Sequence, residues 1–182
     1  MSNSLSVKMI LVLFLVGSWV YAQAPNNLPN PYQPVENWAK LPSGVQWGQV
    51  ISVEPDAKGN LWVFHRSDPA ILEFDASGKL LTSFAKDMFV QAHGLFVDRD
   101  GNIWVTDAQG KPGKGQQVFK FSPDGKVLMT LGKAGVTGTG PDTFNGPSDV
   151  VVGNNGDVFV ADGHGDNTNA RIVKFSKDGK FI

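Results

Sequence analysis

The sequence predicts an all-β protein made of repeated four-stranded units, and three observations carry that prediction. The first is composition: 182 residues with 21 Gly and 5 Trp, 41% hydrophobic and 18% charged. That balance favours tight turns between aromatic-bearing strands and is too apolar for disorder. The second is a unit written three times in register on the turn glycines Gly59, Gly101 and Gly156. Its copies are Gln49–Val63, His93–Val105 and Pro147–Val160. The third is that each copy runs on into a second glycine-turn hairpin, through Phe74-Asp75-Ala76-Ser77-Gly78, Phe121-Ser122-Pro123-Asp124-Gly125 and Phe175-Ser176-Lys177-Asp178-Gly179.

Two glycine-turn hairpins per unit mean four short strands per unit. Four-stranded repeats recurring at roughly 40–50 residues are the mark of a β-propeller blade. A meandering sandwich is the alternative, but it has no reason to repeat the same double-hairpin signature. The uneven period comes from insertions after Asp107 and Asp162, where Gly110–Gly115 and His164–Asn169 are expected to lengthen the loop between strands two and three. Propellers have about 4–8 blades, so three blades leave the ring open. The expectation is therefore the N-terminal half of a longer protein with its C-terminal half missing, or two chains that combine.

Before the repeats, Lys8 is followed by the apolar run Met9–Val16 and the small-residue site Val20-Tyr21-Ala22. This is the layout of a secretory signal cut after Ala22. The run is shorter than the roughly 20 residues of a membrane span, and a single-pass anchor is the competing reading. The expected organisation is thus a signal peptide over 1–22, a Pro-rich arm over 23–46 and propeller blades over 47–182. The product is expected to be secreted or periplasmic, with no stable membrane anchor after cleavage. No cysteine is available for disulfides, so a core or a bound metal must hold an exported chain together. A net charge of −1 leaves no basic surface for nucleic acid, and neither collagen nor a coiled coil fits the spacing of glycines and apolar residues.

Superposing the repeats makes Ile51, His93 and Ser148 equivalent, at the start of the innermost strand, where side chains look into the central channel. One histidine alone cannot hold zinc, which takes three or four ligands, so His93 is read either as part of a metal site or as a solvated channel histidine. Arg66 stands where the other copies have Ala108 and Gly163, and an arginine in place of such small residues suits an anion. His65 aligns with Asp107 and Asp162, polar ends of strand two suited to turn and blade-to-blade hydrogen bonding.

Several stretches carry a more specific likeness: Trp47-Gly48-Gln49-Val50, Phe64-His65-Arg66-Ser67-Asp68, His93-Gly94-Leu95, Gly101–Asp107, Val118–Phe121 and Arg171–Ser176. Over residues 47–182 the chain resembles the peptidyl-α-hydroxyglycine α-amidating lyases, six-bladed propellers of the NHL-repeat group. The resemblance implies that His93 is the first of three zinc-binding histidines, the other two belonging to later blades. It implies a channel calcium ion held partly by the backbone carbonyls of Val53 and Leu95. It implies that Arg66 pairs with the carboxylate of a small peptide substrate ending in hydroxyglycine, which is cleaved to a peptide amide and glyoxylate. The sequence departs from the family at one position: the family's catalytic tyrosine follows Asp-Gly in the third blade, and here the run is Asp162-Gly163-His164. His164 is then the expected base, with a reference pKa near 6.5 against about 10 for tyrosine. The Asp162–Arg171 segment is longer than in the animal enzymes and lacks their cysteines. The alternative function is a non-catalytic propeller that presents its lengthened loops to a protein or glycan partner. A different propeller hydrolase or lyase acting on a small exported metabolite also remains open.

Overall fold

A computed structural model describes residues 28–182; the expected signal peptide and residues 23–27 of the expected arm lie outside the described residues. The chain divides into two units, one ending at Pro34 and one spanning Val35–Ile182. In the first, the Tyr32 amide donates to Asn30 Oδ1 at 3.0 Å.

The second unit holds three antiparallel sheets in chain order. The strands are β1 (Val50–Pro55), β2 (Leu61–His65), β3 (Ile71–Phe74), β4 (Leu80–Phe84), β5 (Ala92–Val97), β6 (Ile103–Lys111), β7 (Lys114–Phe121), β8 (Val127–Leu131), β9 (Pro147–Val152), β10 (Val158–Asp162) and β11 (Arg171–Phe175). The sheets are β1-β2-β3-β4, β5-β6-β7-β8 and β9-β10-β11, the last joined by a single antiparallel bridge between Phe175 and Phe181. This is the meander of a propeller blade repeated three times.

The turns explain the repeat. In the first, Asp56 Oδ1 accepts the amides of Lys58 and Asn60 at 2.8 and 2.9 Å, and Gly59 takes a φ of +83° that an L side chain resists. Asp98 does the same for Asp100 and Asn102, at 3.0 and 2.9 Å. The first two inner hairpins are thereby closed by a side-chain turn followed by a left-handed glycine. The third has Gly153 in the aspartate position and is closed by backbone bonds from the Gly153 amide to the Asp157 carbonyl and from the Gly156 amide to the Gly153 carbonyl.

Strand alternation then packs blade on blade. Trp62 and Phe64 of β2 are buried with Ile103, Val105, Phe119 and Phe121 of the second sheet. Trp104 of β6 points the other way and is buried with Val118, Val150, Val158, Val160 and Val173. Successive residues of one strand so serve two different cores, as a period of two requires in a sheet covered on both faces.

The first sheet's other face carries Val63, Leu72 and Phe74, against which Trp38, Ala39 and Leu41 of the Pro-rich segment pack. Trp38 Nε1 donates to the Ala76 carbonyl at 3.2 Å and the Lys40 amide to the Gly78 carbonyl at 2.9 Å. A Cβ at Gly78 would lie 1.8 Å from the Trp38 carbonyl oxygen, so only glycine lets the segment seat there.

One expectation is corrected. Gly110–Gly115 is not a loop: Gly110 pairs with Gly115 and Lys111 with Lys114, continuing the β6–β7 ladder to a two-residue turn at Pro112-Gly113. The inserted residues are absorbed by a register shift after Asp107, made possible by positive φ at Gly115 (84°) and Gln116 (56°). Among the described residues no helix is long and apolar enough to cross a membrane.

Candidate functional site

The same irregularity opens the inner strand of every blade. Ile51 is skipped between the Val50–His65 and Ser52–Phe64 pairs, His93 between Ala92–Asp107 and Leu95–Val105, and Ser148 between Pro147–Asp162 and Asp149–Ala161. The three residues aligned in sequence are therefore bulge positions, which re-aim a side chain out of the ladder.

The chain entering each bulge is held in an equivalent way. The amides of Arg66, Ala108 and Gly163 donate to the carbonyls of Gln49, Gln91 and Gly146 at 3.0, 2.9 and 2.8 Å. The polar residue one position earlier takes the amide at the foot of the incoming segment: Gly48 donates to His65 Nδ1 at 3.1 Å, Val90 to Asp107 Oδ2 at 2.9 Å and Asn145 to Asp162 Oδ1 at 2.8 Å. His65 thus does in blade one what aspartate does in the others, and its Nε2–H is free to donate to the Pro69 carbonyl at 2.8 Å. These are the structural hydrogen bonds that its position suggested.

Arg66 follows β2 directly. Its Nε donates to the Ala92 carbonyl at 3.1 Å and one terminal nitrogen to Gln49 Oε1 at 2.9 Å. The guanidinium so bridges the entry segment of blade one and the bulge of blade two. It lines a cavity of about 200 Å³ with Ser67, Asp68, Phe89 and Val90. Gln49 is a site residue that sequence reasoning quoted but gave no role.

His93 is half-buried, and its Nδ1 lies 2.7 Å from the Ser148 carbonyl oxygen. A carbonyl only accepts, so Nδ1 carries the proton, and in the neutral imidazole Nε2 keeps its lone pair. Burial is the largest influence on His93 and pushes its pKa below the usual imidazole value; the Ser148 carbonyl opposes this, while the His164 and Arg66 charges add to it. A neutral imidazole whose far nitrogen is fixed by a carbonyl is what a zinc ligand requires. His164, in the segment between β10 and β11, meets His93 edge to face with ring centroids 4.3 Å apart. The structure thus brings a residue from each blade, Arg66, His93 and His164, to one end of the inner strands. Among the described residues no cluster of three or more His, Asp or Glu side chains is arranged to hold a metal.

Val53 and Leu95 occupy one register position in their blades, opposite Val63 and Val105. The Leu95 carbonyl accepts a long 3.5 Å contact from Ser52 Oγ. Beside Val53, the Glu54 carboxyl is pushed above its ordinary value by burial and then by the charge of Asp149. Backbone carbonyl oxygens are the hard donors that a divalent cation such as calcium takes.

Comparison with known proteins agrees with this architecture. The NHL repeat pattern matches residues 144–175, the third blade. A solved streptogramin B lyase superposes with a TM-score of 0.57 at 22% identity, covering 76% of this chain and 41% of that one. The fold and the repeat define an NHL-repeat β-propeller. Within that class, the chain is 36% identical over 183 residues to peptidyl-α-hydroxyglycine α-amidating lyase 1 of Drosophila melanogaster, covering 85% of this chain and 32% of that protein. It is 35% identical over 193 residues to the peptidylglycine α-amidating monooxygenase of Rattus norvegicus, covering 82% and 19% respectively. The chain is therefore a homologue of the peptidyl-α-hydroxyglycine α-amidating lyases, and it spans under half the length of these curated relatives.

Proposed function

We propose that this chain supplies the Arg66, His93 and His164 sector of an exported amidating-lyase propeller, secreted or periplasmic, which cleaves a peptidyl-α-hydroxyglycine to a peptide amide and glyoxylate. The observation that carries the reading is the convergence of those three side chains from three blades.

Arg66 has two of its nitrogens engaged by Ala92 and Gln49, which fixes the plane of the guanidinium while leaving one terminal nitrogen to pair with the substrate carboxylate. His93 offers Nε2 to zinc, with the remaining histidines supplied by later blades, and Val53 and Leu95 offer carbonyls to calcium. Bound zinc would polarise the substrate hydroxyl oxygen and lower its pKa. His164 takes the hydroxyl proton as general base. The oxygen electron pair then forms the aldehyde carbonyl, the C–N bond breaks, and the amide nitrogen receives a proton from the His164 imidazolium. Atoms balance: hydroxyglycine leaves as glyoxylate and the peptide as its amide.

The test is glyoxylate release from a peptidyl-α-hydroxyglycine by the complete propeller, with H164A and R66A compared against wild type. Turnover that disappears in both variants supports the reading; turnover unchanged in H164A overturns the base assignment. The lengthened β6–β7 hairpin and the His164–Asn169 segment favour the second reading, a non-catalytic propeller binding a protein or glycan, and detected turnover removes it.

A further inference from the structure

We infer that Thr168 is the positioning residue of His164, seated on an Asp162–Asn169–Arg171 clamp, built on the buried Asp162 carboxylate, that holds the imidazole against His93. The inference rests on the lyase reading for its functional meaning.

His164 lies outside any ladder, in the segment joining β10 to β11, and among the described residues no hydrogen bond restrains its ring. Its backbone is restrained instead. Thr168 Oγ1 accepts the His164 amide at 3.0 Å and donates to the Gly165 carbonyl at 2.8 Å, so one hydroxyl closes the turn that carries the ring. The two ends of the segment are pinched together: a Cβ on Gly163 would lie 1.9 Å from the Asn169 carbonyl oxygen.

Beneath the segment the Asp162 side chain is 0% exposed and uses both oxygens. Oδ1 accepts the Asn145 amide, while Oδ2 accepts Asn169 Nδ2 at 2.7 Å and Arg171 Nε at 2.8 Å. Arg171 spends its other nitrogens on the carbonyls of Thr139, Gly140 and Thr143. Asp107, at the same position of blade two, accepts only the amides of Val90 and Gln91. The difference follows the chain: after Asp107 the backbone soon rejoins a β-ladder that fixes it, and after Asp162 it does not. Extra polar partners are present where the connecting segment carries His164 and lacks ladder bonds of its own. A segment tied at its base by the buried Asp162 carboxylate and its half-buried Arg171 partner, and higher up by the Thr168 hydroxyl and by Asn145 Nδ2 on the Asn167 carbonyl, holds a ring still at little cost on binding.

The experiment uses three variants of the complete propeller: T168V, which removes the hydroxyl at nearly constant shape, T168S, which keeps it, and N169A, which removes one arm of the clamp. The readouts are the nuclear Overhauser contact between the His93 and His164 rings, circular dichroism, and kcat and KM for glyoxylate release. The expected result is loss of the ring contact in T168V and N169A with the β signal retained, and its return in T168S. In the active protein, kcat falls roughly tenfold or more in T168V while KM changes little, and T168S restores it. A ring contact that survives in both T168V and N169A overturns the inference, whatever the activity. Loss of the contact in T168V from a wild type without turnover supports the positioning role and defeats the lyase reading, so the two failures are separable.

Discussion

His93 donates from Nδ1 to the Ser148 carbonyl at 2.7 Å, tying the inner-strand bulge of blade two to that of blade three. The residue that the repeat makes equivalent to His93 is thus its anchor. The site is built by blade-to-blade contact between like positions, and the predictions below probe that contact and its supports.

Gly94, next to His93, is the point of closest approach. Its amide donates to Thr106 Oγ1 at 2.8 Å, and a Cβ there would lie 2.7 Å from the Ser148 carbonyl oxygen and 2.8 Å from the Asp149 Cα. Because backbone must yield, G94A is predicted to cost about 1–3 kcal/mol and to break the His93–Ser148 bond. Denaturant melts and the His93 ring resonances check this; an unchanged midpoint with unchanged resonances would refute it.

Arg66 is predicted to act through its planar fork. R66K keeps the charge but cannot hold Ala92, Gln49 and a substrate carboxylate together, so kcat/KM should fall by about 10–100-fold. Wild-type kinetics in R66K would show that charge alone suffices.

His65 is buried, with Gly48 donating to Nδ1 and Nε2 donating to Pro69, and Trp47 rests edge-on against its ring with centroids 5.3 Å apart. H65A orphans an amide and a carbonyl and leaves a void, so a loss of about 2–4 kcal/mol is expected by equilibrium unfolding. D107A, which orphans Val90 and Gln91, should fall in the same range. A loss under about 0.5 kcal/mol in both would mean that these hydrogen bonds are dispensable.

Asp98 gives a pH signature. Burial pushes its carboxyl up, but hydrogen bonds from Trp104 and Asn102 and the charge of Lys120 outweigh burial and hold it below the ordinary carboxylate value. A folded pKa below the unfolded one means stability that is present above about pH 4 and lost as pH falls through the folded value. The stability gap between wild type and D98N should therefore be widest near about pH 5 and close towards about pH 2. A gap independent of pH would show that the Asp98 charge contributes nothing.

Much of the fold was legible because its signals are local. Asp56 and Gly59 close a turn by themselves, and so do Asp98 and Gly101, so the register of the repeats could be read from their spacing. That register made Ile51, His93 and Ser148 equivalent, and the structure finds all three at the same bulge. The Gly110–Gly115 segment was misread because a glycine-rich stretch resembles a loop, while the positive φ of Gln116 that lets the ladder resume has no sequence marker. The Asp162–Arg171 pair was invisible as a clamp, since nothing in the one-dimensional pattern separates Asp162 from Asp107.

By itself, then, the sequence determined the four-stranded repeat, the family likeness and the placing of Arg66, His93 and His164 on three successive blades. Only the tertiary structure decided that the His93 and His164 rings meet, which tautomer His93 adopts and what holds His164. Turns and strand alternation are encoded within a few residues of themselves. The meeting of side chains from different blades depends on how closely the inner strands approach, and Gly94 against Ser148 and Asp149 sets that approach through packing no local pattern records.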